Sequence, residues 1–118
     1  MNDTKTDTLD FSFLRSFLDT KEEMEETMAV FERSSDKALN NLETALSNNN
    51  HTVWAEAAHQ MKGAASMVGA TALAQSCDNA QNLAESEAEQ RQALMSEIKN
   101  SYESAKSALH NEISNFSE

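Results

Sequence analysis

Residues that interrupt helices are almost absent from this chain of 118 residues. It contains no proline, and its two glycines are Gly63 and Gly69. Residues that favour helix, such as alanine, glutamate, leucine and methionine, are abundant, and no proline is present to break a long helix. The sequence therefore predicts an all-α protein, and its length suits a single domain spanning residues 1–118.

Apolar residues recur at steps of three, four and seven positions, which is the spacing of one helical face. They mark four main amphipathic helices joined by short connections, a pattern typical of an antiparallel up-and-down four-helix bundle. A shorter apolar cluster at residues 9–18 predicts an extra N-terminal helix after a flexible tail at residues 1–7. The predicted core positions are Met24, Met28, Phe31, Ala38, Leu42, Ala45, Trp54, Ala58, Met61, Ala65, Val68, Leu73, Cys77, Ala80, Ala84, Leu94, Ile98, Tyr102, Ala105, Leu109, Ile113 and Phe116.

Several polar residues predict where these helices begin and end. Asp7 or Thr8 is predicted to cap the first helix, and Thr20 with Glu23 fits a capping box. Asn48–Asn50 is expected to break the second helix, because asparagine tolerates left-handed turns. Gly69 is expected to end the third helix, which begins near Thr52, and Thr71 to cap the fourth. The polar Ser35 interrupts the apolar face of the second helix, and the sequence gives no reason for it.

The charge balance excludes several classes of partner. Twenty acidic residues against nine basic ones give a formal charge of −11, which repels nucleic acid and anionic membrane surfaces. No apolar stretch of about 20 residues is present to span a bilayer, and the polar N-terminus does not resemble a signal peptide. The single cysteine, Cys77, is expected in the core of a protein from a reducing compartment. We expect a cytoplasmic monomer, either free-standing or part of a longer hybrid kinase.

His59 is the candidate functional residue of the third helix. At about 100° per residue, it points roughly 140° away from the centre of the apolar stripe, so its imidazole is expected to be exposed. Lys62 lies one turn further along the same side. Gly63 also lies one turn away, although glycine inside a helix costs about 1 kcal/mol relative to alanine. A nucleophile, a cation and a cleared space suit an anionic electrophile such as a phosphoryl group.

Gln81 on the fourth helix is expected near the level of His59. If the third and fourth helices form an antiparallel hairpin about Gly69, His59 lies ten residues before that turn and Gln81 lies twelve after it. The Gln81 amide could orient the imidazole or donate to a phosphoryl oxygen. A partial defect is expected for Gln81→Ala.

The segments Ala58–Ala65 and Val68–Ala70 resemble the signature of histidine phosphotransfer (HPt) domains. That signature is a histidine, a lysine three positions on, a glycine next to it and a second glycine that ends the helix. Gln81 falls where family members carry Gln or Glu. Ala80 departs from the pattern, because the family more often has a larger aliphatic residue there. The motif covers residues 58–81, and the helical layout agrees over nearly the whole chain.

The resemblance implies a helical bundle in which His59 accepts a phosphoryl group from a receiver-domain aspartate, or from a kinase, and passes it to a response regulator. Lys62 would then offset phosphoryl charge, and Gly63 would clear the approach. Receiver domains and a sensor or hybrid histidine kinase would be the partners. The protein itself needs no cofactor, since the magnesium ion belongs to the receiver. It would be a phosphoryl carrier without kinase or hydrolase activity of its own, and no phosphate-binding loop or ATP-lid motif is present in the sequence.

Two other interpretations compete with this one. A metal site built from His51, His59 and His110 is disfavoured, because bundle metal sites need inward-facing ligands and often paired Glu-x-x-His motifs. His51 is expected in a loop and His110 on the last helix, both as surface residues. A non-catalytic helical adaptor is the second alternative, and it should keep its activity after His59→Ala.

Overall fold

The computed structural model describes residues 10–116, apart from the side chains of Phe13 and Phe17. Within this range the chain forms five helices: α1 (Ser12–Phe17), α2 (Lys21–Asn48), α3 (His51–Met67), α4 (Thr71–Asn82) and α5 (Ala88–Ser114). Each of the four long helices packs on the next, and α5 also packs on α2, which closes the bundle. The prediction of an all-α bundle with a short extra N-terminal helix is confirmed.

The boundaries of α2 follow the predicted signals. Glu23 N–H donates to Thr20 Oγ1 at 3.1 Å, and Thr20 N–H donates to Glu23 Oε1 at 3.2 Å, which completes the capping box. At the other end, Asn49 takes a left-handed conformation with φ of 54°. Asn50 then caps α3 by accepting from Val53 N–H at 3.1 Å. Because this cap lies so early, His51 is the first residue of α3 and does not lie in a loop as predicted.

Gly69 forms the turn between α3 and α4 with φ of +75°, as the sequence predicts for a residue that ends a helix. The N-terminal segment closes on this turn, because Asp10 N–H donates to the Gly69 carbonyl at 2.8 Å. The prediction that Thr71 caps α4 is wrong: Ala70 occupies the N-cap position without a side-chain cap, and Thr71 is the first helical residue. The reason is that the Ala70 carbonyl already accepts the first hydrogen bond of α4, from Ala74 N–H at 2.9 Å, so the helix begins one residue earlier than expected.

The proposed N-caps of α1, Asp7 and Thr8, and the tail at residues 1–7 lie outside the described residues. Helix α1 begins at Ser12, where Asp10 Oδ1 accepts from the Ser12 N–H at 3.2 Å. An ion pair of 2.8 Å between Arg15 and Glu112 joins α1 to the end of α5. The short helix therefore lies across the end of the bundle that holds the α3–α4 turn.

The predicted core is buried, and only Phe116 among the predicted positions is partly exposed. Three polar side chains are also buried there: Ser35, Ser76 and Arg91. Ser35 is 0% exposed, in the middle of the apolar face of α2. Arg91 is 1% exposed and lies over the Trp54 ring, 5.9 Å from its centroid. Its guanidinium donates to the Ser86 carbonyl at 3.2 Å and to Asn49 Oδ1, so it joins the α2–α3 turn to the α4–α5 turn.

No helix within residues 10–116 combines the length and the apolar character that a membrane crossing requires.

Candidate functional site

Helix α3 separates a buried face from an exposed one, and His59 lies on the exposed face. Its neighbours Ala58 and Met61 are 0% exposed, whereas the His59 side chain is open to solvent. The helical geometry predicts this orientation. A nucleophilic imidazole in this place can be reached by a second molecule without any movement of the core.

A shallow groove between α3 and α4 contains His59. It is lined by Ala55, Glu56, His59, Gln60 and Gln81, and we refer to it as the His59 groove. Gln81 is the only lining residue that comes from α4, and its side chain is half-buried. The structure therefore brings His59 and Gln81 to the same groove, as the hairpin argument predicts.

The hairpin is centred on Ala70, one residue after the glycine used in the prediction. His59 and Lys62 lie eleven and eight residues before Ala70, and Gln81 and Asp78 lie eleven and eight residues after it. An antiparallel pair of helices with this centre places Gln81 opposite His59 and Asp78 opposite Lys62. The contacts agree with both pairings.

Lys62 forms an ion pair with Asp78, which sequence reasoning did not single out. The distance from Lys62 Nζ to Asp78 Oδ1 is 2.8 Å, and the two side chains are 40% and 36% exposed. The other carboxylate oxygen, Asp78 Oδ2, accepts from Asn82 Nδ2 at 3.4 Å. The cation one turn from His59 is therefore held by a residue of α4. The sequence does contain a signal for Asp78, because Asp78 lies as far after Ala70 as Lys62 lies before it.

Gly63 faces open space. A Cβ atom added at this position would meet nothing within 4 Å, so packing inside the described chain does not require glycine here. Gly69 differs in this respect, because a Cβ there would lie 1.9 Å from the Asp10 carbonyl oxygen. Nothing within residues 10–116 therefore explains the helix-weakening residue at position 63.

A second groove continues from the His59 groove toward the N-terminus of α3. The two grooves share Ala55, Glu56 and Gln81, and the second also includes His51 and Glu85. Glu56 and Glu85 make this extension acidic, whereas the charge of Lys62, one turn beyond His59, is balanced by its ion pair with Asp78. The surroundings of His59 are therefore asymmetric in charge.

The three histidines have separate surroundings. His51 Nε2 lies 3.3 Å from Asn49 Oδ1, and His110 Nε2 lies 3.3 Å from Glu32 Oε2 on the α2–α5 side. Among residues 10–116, no three His, Cys, Asp or Glu side chains come together in a way that could hold a metal ion.

Cys77 lies behind the site, on the buried face of α4. It is 0% exposed, and burial raises the pKa of its thiol from 9.0 to about 12, an effect that the nearby Lys62 charge partly offsets. A thiol in this state is neutral and inaccessible, which agrees with the predicted core position.

Comparison with known proteins gave one family match. The family model described as Hpt domain matches residues 26–116, which include all of α3, α4 and α5 and most of α2. No curated protein and no solved structure matches the chain.

Proposed function

The chain belongs to the Hpt domain family, and we propose that it carries a phosphoryl group on His59 as an intermediate of a phosphorelay. One observation carries the choice of this residue. His59 is exposed in a groove with Gln81, next to open space at a helical glycine that no packing within residues 10–116 requires.

The proposed step is a transfer from an aspartyl phosphate to the imidazole. The lone pair of one ring nitrogen of His59 forms the P–N bond while the P–O bond to the donor breaks. The electron pair of that P–O bond stays on the donor aspartate as a carboxylate. The other ring nitrogen keeps its proton during the attack and can then lose it to water. Onward transfer reverses these changes on the aspartate of a second receiver.

The neighbouring residues have distinct roles in this proposal. Lys62 offsets the negative charge of the phosphoryl group, since it lies one turn from His59 on the same side of α3. Gln81 orients the imidazole or donates its amide N–H to a phosphoryl oxygen from the opposite side of the groove. Gly63 leaves room for the receiver to bring its aspartate to the ring.

Receiver domains of response regulators and a sensor or hybrid histidine kinase are the proposed partners. The receiver would supply the magnesium ion, and the carrier would have no kinase or hydrolase activity of its own. We place this carrier in the cytoplasm, as a monomer. The single buried cysteine supports the cytoplasmic location.

The test is transfer of labelled phosphate from a panel of pre-phosphorylated receiver domains. Wild type should take up label that is lost in acid and kept in base, and His59→Gln should take up none. His51→Gln and His110→Gln are matched controls that remove a histidine elsewhere on the surface, and they should behave like wild type. Transfer that survives His59→Gln would mean that another residue is the acceptor.

The helical adaptor remains the alternative, and the same experiment separates the two. An adaptor would bind its partners without taking up label, and its binding would survive His59→Ala. A carrier loses relay activity with that change, because the reacting atom itself is removed.

A further inference from the structure

Lys62 faces two anionic groups once the phosphoryl group is on His59, which is the premise taken from the proposed function. One is the Asp78 carboxylate, 2.8 Å from the ammonium. The other is the phosphoryl group, attached one helical turn before Lys62. A lysine side chain has a flexible four-carbon stem and a compact charge, so its ammonium can move between two nearby acceptors.

The carboxylate is well placed to hold the ammonium when the phosphoryl group is absent. Asp78 and Gln81 lie three residues apart on α4, so both project toward α3 from one face. Asp78 Oδ1 takes the Lys62 contact while Oδ2 accepts from Asn82, which fixes the orientation of the carboxylate. Within residues 10–116, Lys62 forms its ion pair with Asp78.

A phosphoryl group on His59 can displace Asp78 from Lys62, but the Lys62–Asp78 ion pair must be broken for this to happen. Both members of the pair are more than a third exposed, and exposed ion pairs are weak. A phosphoryl group near neutral pH carries close to two negative charges, against one on the carboxylate. Any attraction between Lys62 and Asp78 therefore reduces the net stabilisation that Lys62 gives to the phosphoryl group.

We infer that Asp78 is a positioning residue that competes with the phosphoryl group for Lys62 and so weakens the hold of the carrier on its phosphoryl group. In the unphosphorylated protein the ion pair with Asp78 holds the Lys62 ammonium against α4, one helical turn from His59. In the phosphorylated protein it draws the same ammonium away from the dianion, which favours release of the phosphoryl group to a receiver.

We expect a measurable effect on the acid dissociation of the phosphohistidine. In Asp78→Asn the ammonium of Lys62 is free to stabilise the dianion, so the acid dissociation constant of the phosphohistidine should increase by roughly two- to fivefold, the range that corresponds to an exposed ion pair. Phosphorus NMR measures this constant from the pH dependence of the phosphohistidine resonance. The measurement needs no receiver.

The full-length chain is phosphorylated with potassium phosphoramidate, a small-molecule donor that modifies histidine without a partner protein. The resonance absent from His59→Gln identifies the group on His59. A double-mutant cycle then compares wild type, Asp78→Asn, Lys62→Gln and the double variant. The effect of Asp78→Asn should largely disappear when Lys62 is absent, because Asp78 acts through that ammonium.

Glu85→Gln is the matched control. It removes the same charge from the α4 side of the protein, at a residue that forms no ion pair within the described part of the chain. Its effect should be clearly smaller than that of Asp78→Asn. An equal effect, or an Asp78→Asn effect that persists without Lys62, would show general electrostatics and overturn the inference. An unchanged constant in Asp78→Asn would overturn it as well.

The outcome separates this inference from the proposed function. If the cycle shows coupling but no receiver transfers phosphate, the relay proposal fails while the role of Asp78 stands. If receivers transfer normally but the cycle shows no coupling, the relay proposal stands and this inference fails. If phosphoramidate leaves His59 unmodified, the acceptor assignment and the inference fail together.

Discussion

The indole N–H of Trp54 on α3 donates a 2.8 Å hydrogen bond to the backbone carbonyl of Ala80 on α4. Ala80 lies in the last turn of α4, where helical carbonyls have no partner within their own helix. Both residues are fully buried, so water does not take the place of the indole. The bond fixes α4 against α3 at the residue before Gln81. This contact lies behind the His59 groove.

Trp54→Phe should lower the free energy of unfolding by about 1–3 kcal/mol, because it leaves a buried carbonyl unpaired. The loss of indole volume adds to that cost. Urea denaturation followed by circular dichroism measures the change, since the variant has no tryptophan for fluorescence. The modification of His59 by phosphoramidate should persist, because the imidazole is on the other face of α3. A stability equal to that of wild type would contradict the role assigned to this hydrogen bond.

Gly69→Ala should destabilise the protein and release the N-terminal segment. The left-handed backbone alone costs a non-glycine residue about 1–2 kcal/mol. The added Cβ would also lie 1.9 Å from the Asp10 carbonyl oxygen, so Asp10 must move. Urea denaturation gives the stability change, and faster hydrogen exchange at the Asp10 amide reports the loss of its bond to Gly69. Slow exchange at Asp10 in the variant would contradict this account.

Local signals in the sequence predict the fold well, because each acts within one or two turns of helix. The Thr20 and Glu23 pair closes the capping box, and the asparagines end α2 and cap α3, since side chains compete for nearby backbone groups. Apolar spacing predicts the core because the helical period alone decides which face is buried. The exposure of His59 follows from the same period.

The sequence predicted that Gln81 lies near His59, but it did not predict the other specific contacts between helices. Asp78 looks like a surface residue until the α3–α4 register is known, and the prediction placed that register one residue away from its observed centre. Arg91 lies among glutamate and glutamine residues that suggest a solvated helix start, yet it is buried. Its burial depends on Asn49 and Ser86, which come from two different turns. These two turns meet at Arg91 only when the helices pack together, so the spacing of residues within one helix does not predict its burial.

Ser35→Ala should stabilise the protein by about 1 kcal/mol. Within the described residues the Ser35 hydroxyl is buried without a hydrogen-bond partner, and an unpaired buried group costs about 1–3 kcal/mol. The neighbouring Ser34→Ala is the matched control, because Ser34 is exposed and the change there alters helix propensity alone. Thermal and urea denaturation of both variants measure the difference. An equal effect at the two positions would show that the buried hydroxyl is not destabilising.

The buried Cys77 thiol should make stability fall above pH 9. Its pKa is raised by burial from 9.0 to about 12, so the unfolded chain loses the thiol proton at a pH where the folded protein keeps it. The resulting stabilisation is present below pH 9 and declines by up to about 1.4 kcal/mol per pH unit as the pH rises. Tyr102 also has a raised pKa, from burial and from its bond to Asp36.

Comparison with Cys77→Ala isolates the thiol, because both proteins keep Tyr102. Urea denaturation at pH 7.5, 9 and 10 should show that the stability advantage of wild type over the variant shrinks with pH. A constant difference across this range would contradict a proton held by the folded thiol.

Gly63→Ala should stabilise the protein while it impairs phosphotransfer. The added methyl group meets open space, and alanine is better than glycine inside a helix, so the free energy of unfolding should increase by about 0.5–1 kcal/mol. The same methyl group occupies the approach to His59 that the proposal assigns to the receiver. Displacement of the reacting groups should slow transfer from a receiver by roughly tenfold or more. Phosphoramidate is far smaller than a receiver, so its reaction with His59 should change much less. Gly63 would then be retained for the approach of a partner at the expense of helix stability. If the variant is more stable and accepts phosphate from receivers at the wild-type rate, glycine at this position has no role in docking.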